Sequence, residues 1–215
     1  GRVTEKVAIS NAYVTAVAPK GFYVQVVAGD PTYDATLGAR YSGIFVYTNT
    51  SGMKPMRGAR VDVQGTVGDY FGEMELLSPT FSVLAMSSAP PVPALVSATE
   101  VGMYGTGVTP GAGEMYPDMP YAGVLVEVRG VTVANADPDP GPADARPTYE
   151  VEVDGGLRID DLIFRPANLP RMGQRLSSVA GILRFGNEWA KLEPRDVSDY
   201  GGSPEVLAID PAFAF

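Results

Sequence analysis

Short runs of β-branched and aromatic residues recur along the whole chain, and this pattern constrains the fold more than any other feature. The runs end at Gly, Pro, Asn or Asp, which is typical of strands that are separated by tight turns. No stretch shows the 3.6-residue apolar period of an amphipathic helix. The 25 glycines and 19 prolines among 215 residues also suit a chain with many turns. The sequence therefore predicts an all-β protein.

The predicted strands fall into two groups. The first occupies 7–17, 21–27, 43–48, 60–67 and 73–84, and five strands in so short a segment are typical of a small closed barrel. The second occupies 121–135, 148–153, 157–164, 174–184 and 189–194. Between the groups, Pro90, Pro91 and Pro93 cannot donate to a sheet ladder and predict an extended linker. We expect a first barrel at 1–86, a linker and irregular segment at 87–120, and a second barrel with an apolar tail at 121–215.

A motif of the first group recurs in the second. Residues 58–67 (GARVDVQGTV) and 173–183 (GQRLSSVAGIL) each contain a turn glycine, an Arg, a strand and a second glycine. An aromatic-glycine pair follows each copy, Phe71-Gly72 and Phe185-Gly186, and predicts the turn into a last strand. Glycine inside a strand marks the bend with which a small barrel closes. The recurrence of these features in the same order predicts a duplicated fold.

The first group resembles the OB-fold modules of bacterial secreted proteins, which are often found ahead of extracellular endonuclease/exonuclease/phosphatase-type nuclease domains. The similar segments are 14–17 (VTAV), 21–25 (GFYVQ), 42–48 (SGIFVYT), 58–65, and 70–72 (YFG) with Glu75-Leu76. The second group is similar to the partner module through 121–126, 156–161 and 192–199. The resemblance implies two tandem OB-like Greek-key barrels joined by a Pro-rich linker, nucleic-acid binding, and export to the extracellular space or cell surface.

Catalysis is the function that the composition disfavours most. The chain has no His and no Cys, so it lacks the commonest general base, the thiol nucleophile and the usual transition-metal ligands. The remaining acid-base candidates are Asp160 with Asp161 and Asp196 with Asp199, but neighbouring carboxylates are more often solvated charges. We therefore predict a protein that is not an enzyme.

The candidate ligand surface lies on the second and third strands of the first barrel. Alternation directs Phe22, Val24, Ile44 and Val46 to the barrel interior. The opposite face, with two nearby arginines, would suit stacking on the bases or sugar rings of an extended nucleic acid or glycan; it comprises Tyr23, Gln25, Phe45 and Tyr47, with Arg40 and Arg60. Alternatively, the loop 28–41 or the second barrel covers these aromatics, which then enlarge the core.

Charge limits what this surface can bind. The 16 Lys and Arg against 25 Asp and Glu give a net charge of −9, which opposes nonspecific attraction to nucleic acid. Glu150, Glu152 and Asp154 would repel phosphates from the second barrel, which is interpreted as structural or protein-binding. Asp137, Asp139 and Asp144 form a possible calcium site in a Pro-rich loop, although their spacing is not that of an EF-hand. No other cofactor is predicted.

The apolar segment 206–215 suggests a second kind of function. It ends in Phe213 and Phe215 and is expected to dock on its own domain or to add a strand to a neighbouring subunit. Two hypotheses follow: an exported binding module for nucleic acid or glycan, and a structural, self-assembling subunit of an extracellular or cell-surface assembly. The chain shows no signal-peptide pattern at its start and no apolar stretch long enough to cross a bilayer, so we predict no membrane span.

Overall fold

The computed structural model describes residues 5–86, 90–111 and 115–201 and confirms the all-β class. The strands of the first half are β1 (Lys6–Ala18), β2 (Gly21–Gln25), β3 (Gly43–Tyr47), β4 (Ala59–Tyr70) and β5 (Glu73–Met86). They are followed by β6 (Ala94–Leu95), helix α1 (Ala98–Gly102), β7 (Leu125–Asn135), β8 (Val151–Val153), β9 (Arg158–Ile159), β10 (Arg175–Gly186), β11 (Trp189–Glu193) and a 3-10 turn at Val197–Asp199. Within the described ranges, no helix has the length and apolarity that crossing a membrane requires.

The first five strands form a closed barrel in the order β1-β2-β3-β5-β4. All pairs are antiparallel except β3 with β5, and β4 returns to pair with β1. The barrel closes around Phe22, Val24 and Val46, and Ile44 packs against this core. The predicted inward-facing set is therefore confirmed.

The second unit repeats this strand order. Its strands follow β7-β8-β9-β11-β10, and β10 also pairs with β7, which completes the ring. The pair β9 and β11 is parallel, as β3 and β5 are in the first barrel. Strand β6 lies outside the ring and pairs with β7. The two-barrel fold predicted from the repeated motif is confirmed.

Glycines at equivalent positions explain part of the repeat. A Cβ on Gly65 would lie 2.9 Å from the Leu77 carbonyl oxygen, and one on Gly181 would lie 2.5 Å from that of Glu193. Contacts this short leave no room for a side chain, so both sites require glycine where β4 approaches β5 and β10 approaches β11.

The turn of the second copy differs from the prediction. Phe71-Gly72 does form the turn between β4 and β5, because Tyr70 pairs with Glu73. Phe185-Gly186, however, ends β10, and the turn is Asn187-Glu188. Both of those residues have positive φ, 52° and 66°, a conformation that Asn tolerates better than most residues.

The predicted linker is divided between two compact units. One unit comprises Gly1–Val92 with Pro120–Leu125, and the other comprises Pro93–Met119 with Val126–Phe215. Ala94 and Leu95 leave the proline-rich stretch and pair with Val126 and Glu127, and α1 begins directly after Ser97. Within the predicted linker and irregular segment, residues 94–102 therefore supply β6 and α1 to the second unit.

Candidate functional site

The predicted aromatic face of the first barrel is buried. Tyr23 is 1%, Gln25 4% and Phe45 8% exposed. The Tyr23 hydroxyl donates to Glu73 Oε1 at 2.8 Å, and its ring centroid lies 4.8 Å from that of Phe45. The alternation that separates this face from the core is as expected, but its side chains are not available to stack on a ligand.

The segment 120–125 of the same unit covers this face. The backbone of Gly123 lies so close to Gly43 that a Cβ on Gly43 would be 2.2 Å from the Gly123 carbonyl oxygen. The Leu125 N–H donates to Gln25 Oε1 at 3.1 Å, and Gln25 Nε2 donates to Ser42 Oγ at 3.2 Å. Of the two expected roles, these contacts support the covered one. The covering residues 121–125 were predicted to begin the second barrel and belong instead to the first unit.

The other predicted ligand contacts do not join into one surface. Tyr47 is 36% exposed. Arg40 is exposed and donates to the Leu37 carbonyl at 3.3 Å. Arg60 forms an ion pair with Asp30 at 2.8 Å, so that carboxylate already matches its charge.

The hairpin tip between β4 and β5 presents an exposed aromatic pair instead. Tyr70 is 58% and Phe71 is 62% exposed, and their ring centroids lie 5.0 Å apart in an edge-on arrangement. The Gly72 N–H donates to Asp69 Oδ1 at 2.8 Å, which supports the turn from within. The tip is a two-residue turn with two aromatic rings in solvent.

Phe71 occupies this turn at a local energetic cost. Its φ is 51° and that of Gly72 is 87°, as in a type I′ turn, which favours Asn-Gly. A side chain with a Cβ costs about 1–2 kcal/mol in the left-handed region, and an exposed ring recovers little of this through burial. Residues held in disfavoured conformations cluster at functional sites, and Phe71 is therefore the first candidate for a contact residue.

The surroundings of the tip are acidic. Asp69, Glu73 and Glu75 lie on the two strands that lead to it, and the sequence has no Lys or Arg between Arg60 and Arg129. Burial raises the pKa of Glu75, and the charges of Glu73 and Asp69 raise it further. A polyanion would be repelled here.

The corresponding tip of the second barrel is covered by its own unit. The backbone N–H groups of Thr106 and Gly107 both donate to the Glu188 carbonyl at 3.0 Å. The Thr109 hydroxyl donates to Glu188 Oε1 at 3.0 Å. Gly107 lies against the Trp189 ring, where a Cβ would be 2.5 Å from the indole. The equivalent hairpin tips of the two barrels therefore differ in exposure. The tip of the second barrel is covered, whereas the aromatic tip of the first is exposed to solvent.

The outer face of the second barrel carries a buried ionic cluster. Arg158 and Lys191 are paired in register on β9 and β11, and both are 1% exposed. Glu150 accepts hydrogen bonds from both, at 2.9 Å from Arg158 Nη1. The Arg158 guanidinium lies 3.9 Å from the centroid of the Trp189 ring, and Asp160 is 3.3 Å from Lys191 Nζ. The charged residues that alternate with core residues along these strands are therefore buried and paired with opposite charges.

Burial controls the ionisation of this cluster. It raises the pKa of Glu150 and Glu193, and the neighbouring charge of Asp160 raises both further. Burial opposes the charge of Lys191, but Asp160 and Glu150 outweigh it, so the pKa of Lys191 is also raised. For Asp161, burial and then Asp160 raise the pKa to about 6. The cluster therefore destabilises the fold most when every carboxylate is ionised.

The carboxylates considered for acid-base chemistry all have structural contacts. Asp161 pairs with Arg165 and Asp160 with Lys191. Asp199 accepts from Arg195, and Asp196 accepts from the Ser198 N–H at 2.8 Å to begin the 3-10 turn. Each of these four carboxylates therefore has a partner within the second unit.

The three predicted calcium ligands form ion pairs with two different basic side chains. Arg146 pairs with Asp137, and with Asp139 at 2.8 Å. Asp144 Oδ2 instead lies 3.5 Å from Lys191 Nζ. Over 5–86, 90–111 and 115–201, no three His, Cys, Asp or Glu side chains are placed to hold a metal ion. The predicted assembly residues Phe213 and Phe215 lie outside the described residues.

The fold defines the chain as an all-β protein of two barrels that share one strand order. Comparison with known proteins adds no nearer relationship, because no family model matches the chain, and no curated protein or solved structure matches it either. The resemblance to modules that precede secreted nucleases therefore stays a prediction, and the functional argument depends on the contacts described above.

Proposed function

We propose that the chain is an exported, non-catalytic binding module whose first barrel contacts an extended glycan through the tip of its β4–β5 hairpin. The observation that carries this proposal is Phe71, an exposed ring in a positive-φ turn position beside exposed Tyr70. Neither local conformation nor burial explains this residue, whereas contact with a ligand would.

Two properties of the tip favour a glycan over nucleic acid. Aromatic rings stack on the apolar faces of sugar rings as well as on bases. The exposed carboxylate of Asp69 can accept hydrogen bonds from sugar hydroxyls, but the carboxylates around the tip would repel a phosphate backbone. A net charge of −9 adds to that repulsion.

A sedimentation panel tests the ligand class. The full chain is mixed with insoluble cellulose, chitin or peptidoglycan, and the retained fraction is measured at low and high salt. In parallel, fluorescence anisotropy is measured with a labelled oligothymidylate. We expect retention on at least one polysaccharide with little effect of salt, and no binding of oligothymidylate. Salt-sensitive oligothymidylate binding without polysaccharide retention would contradict the proposal and favour nucleic acid.

A further inference from the structure

The second half of β5 is a free sheet edge. Strand β5 pairs with β3 only at Glu75 and Leu76. From Thr80 to Met86, the pairings in the described part of the chain join it to β4 alone. Among the described residues, one row of backbone N–H and C=O groups on this edge therefore has no neighbouring strand, which is a template for strand addition.

This edge has no charged side chain to guard it against pairing. Val83 is 54%, Leu84 50% and Met86 56% exposed, and residues 78–89 include no charged side chain. Free edges are normally guarded by charges, prolines or bulges. Here Pro79 precedes the exposed stretch and the register shifts at Leu84, so Thr80–Val83 remains as an unguarded regular segment.

The other free edge of the barrel shows the contrast. In the part of the chain that the structure describes, the first half of β1 pairs with β4 alone, since its pairing with β2 begins at Tyr13. This edge begins with charged Glu5 and Lys6, both exposed. The absence of charge is thus a property of the β5 edge and not of free edges in this barrel generally.

We propose that two copies of the chain pair antiparallel through their β5 edges, centred on Thr80–Val83, to form a two-fold dimer. Each copy carries a net charge of −9, so contact is opposed over most of the surface and least opposed where no charge is present. An antiparallel strand matches the backbone groups of its own copy, as a two-fold interface requires. This surface is distinct from the aromatic tip, and the proposal does not depend on glycan binding.

Cysteine cross-linking tests the geometry directly, because the chain contains no cysteine of its own. Single variants Thr80→Cys and Ser82→Cys are oxidised under mild conditions and separated on non-reducing gels. Asp62→Cys is the matched control, since Asp62 is exposed and pairs with Ser82 on the next strand inward. We expect a covalent dimer from at least one β5 variant and none from the control. Equal cross-linking of all three, or of none, would overturn the proposal.

Sedimentation velocity tests whether a second copy of the chain binds at the β5 edge. The wild-type chain is expected to shift from monomer to dimer as its concentration rises. Leu84→Lys should lose the dimer while circular dichroism shows an unchanged fold, because the side chain is exposed. A chain ending at residue 205 should still dimerise. A wild-type chain that stays monomeric, or a dimer that needs residues 206–215 and tolerates Leu84→Lys, would overturn the pairing of β5 with β5.

Discussion

Replacement of Phe71 with Asn is expected to abolish polysaccharide retention and, at the same time, to stabilise the first barrel. Asn is favoured at the first central position of a type I′ turn, and it removes part of the cost of the left-handed conformation at φ 51°. We expect the free energy of unfolding to rise by about 0.5–1 kcal/mol. The affinity for the polysaccharide should fall at least about fivefold, since one aromatic contact contributes about 1–3 kcal/mol. Urea unfolding and the sedimentation panel measure the two effects.

Met53→Ala provides the control for this substitution. Met53 is 80% exposed and lies in the loop that precedes β4, whereas Phe71 follows the other end of that strand. The alanine variant should change neither retention nor stability appreciably. If Phe71→Asn stabilises the barrel but retains the polysaccharide fully, the tip is not the contact surface.

Replacement of Lys191 with Met is expected to destabilise the second barrel by about 3–5 kcal/mol at pH 7, because it leaves buried Glu150 and Asp160 without that cation. The loss should be smaller near pH 4. Burial already raises the pKa of Glu150, and removal of the lysine should raise it further. A carboxyl group whose folded pKa is raised gives full stability below its unfolded pKa and loses it as pH rises through the folded pKa.

Urea unfolding at pH 4 and pH 7 measures this dependence. Lys20→Met is the control, because Lys20 is exposed in the turn between β1 and β2, and its loss should be small at both pH values. A loss below about 1 kcal/mol for Lys191→Met at pH 7 would show that the cluster is hydrated and not desolvated as described.

The sequence was sufficient for those features that follow from local pattern. Alternation correctly directed Phe22, Val24 and Val46 to the core, and the repeated glycine motif predicted two barrels of one kind. Local sequence pattern could not predict that Tyr23 and Gln25 are buried. Part of the chain that covers them, at Leu125, lies about 100 residues further along the sequence. Periodicity tells which face a side chain takes but not what later packs on that face.

Phe71 also shows what local sequence pattern can and cannot predict. Phe71 and Gly72 were correctly expected to form a turn, and a bulky aromatic where Asn is favoured is a sequence signal in its own right. The predicted equivalent in the second copy, Phe185-Gly186, offers no contrast with it. The structure places that turn at Asn187-Glu188, and only this comparison shows that the first barrel departs from the favoured residue.

Hydrogen–deuterium exchange tests the central claim most directly. Backbone exchange of the full chain is compared with and without a soluble oligosaccharide of the polysaccharide that retains it. The proposed function predicts slower exchange confined to peptides that contain Asp69 to Glu73. Protection of β2 and β3 or of the second unit, with unchanged exchange at the hairpin tip, would contradict it.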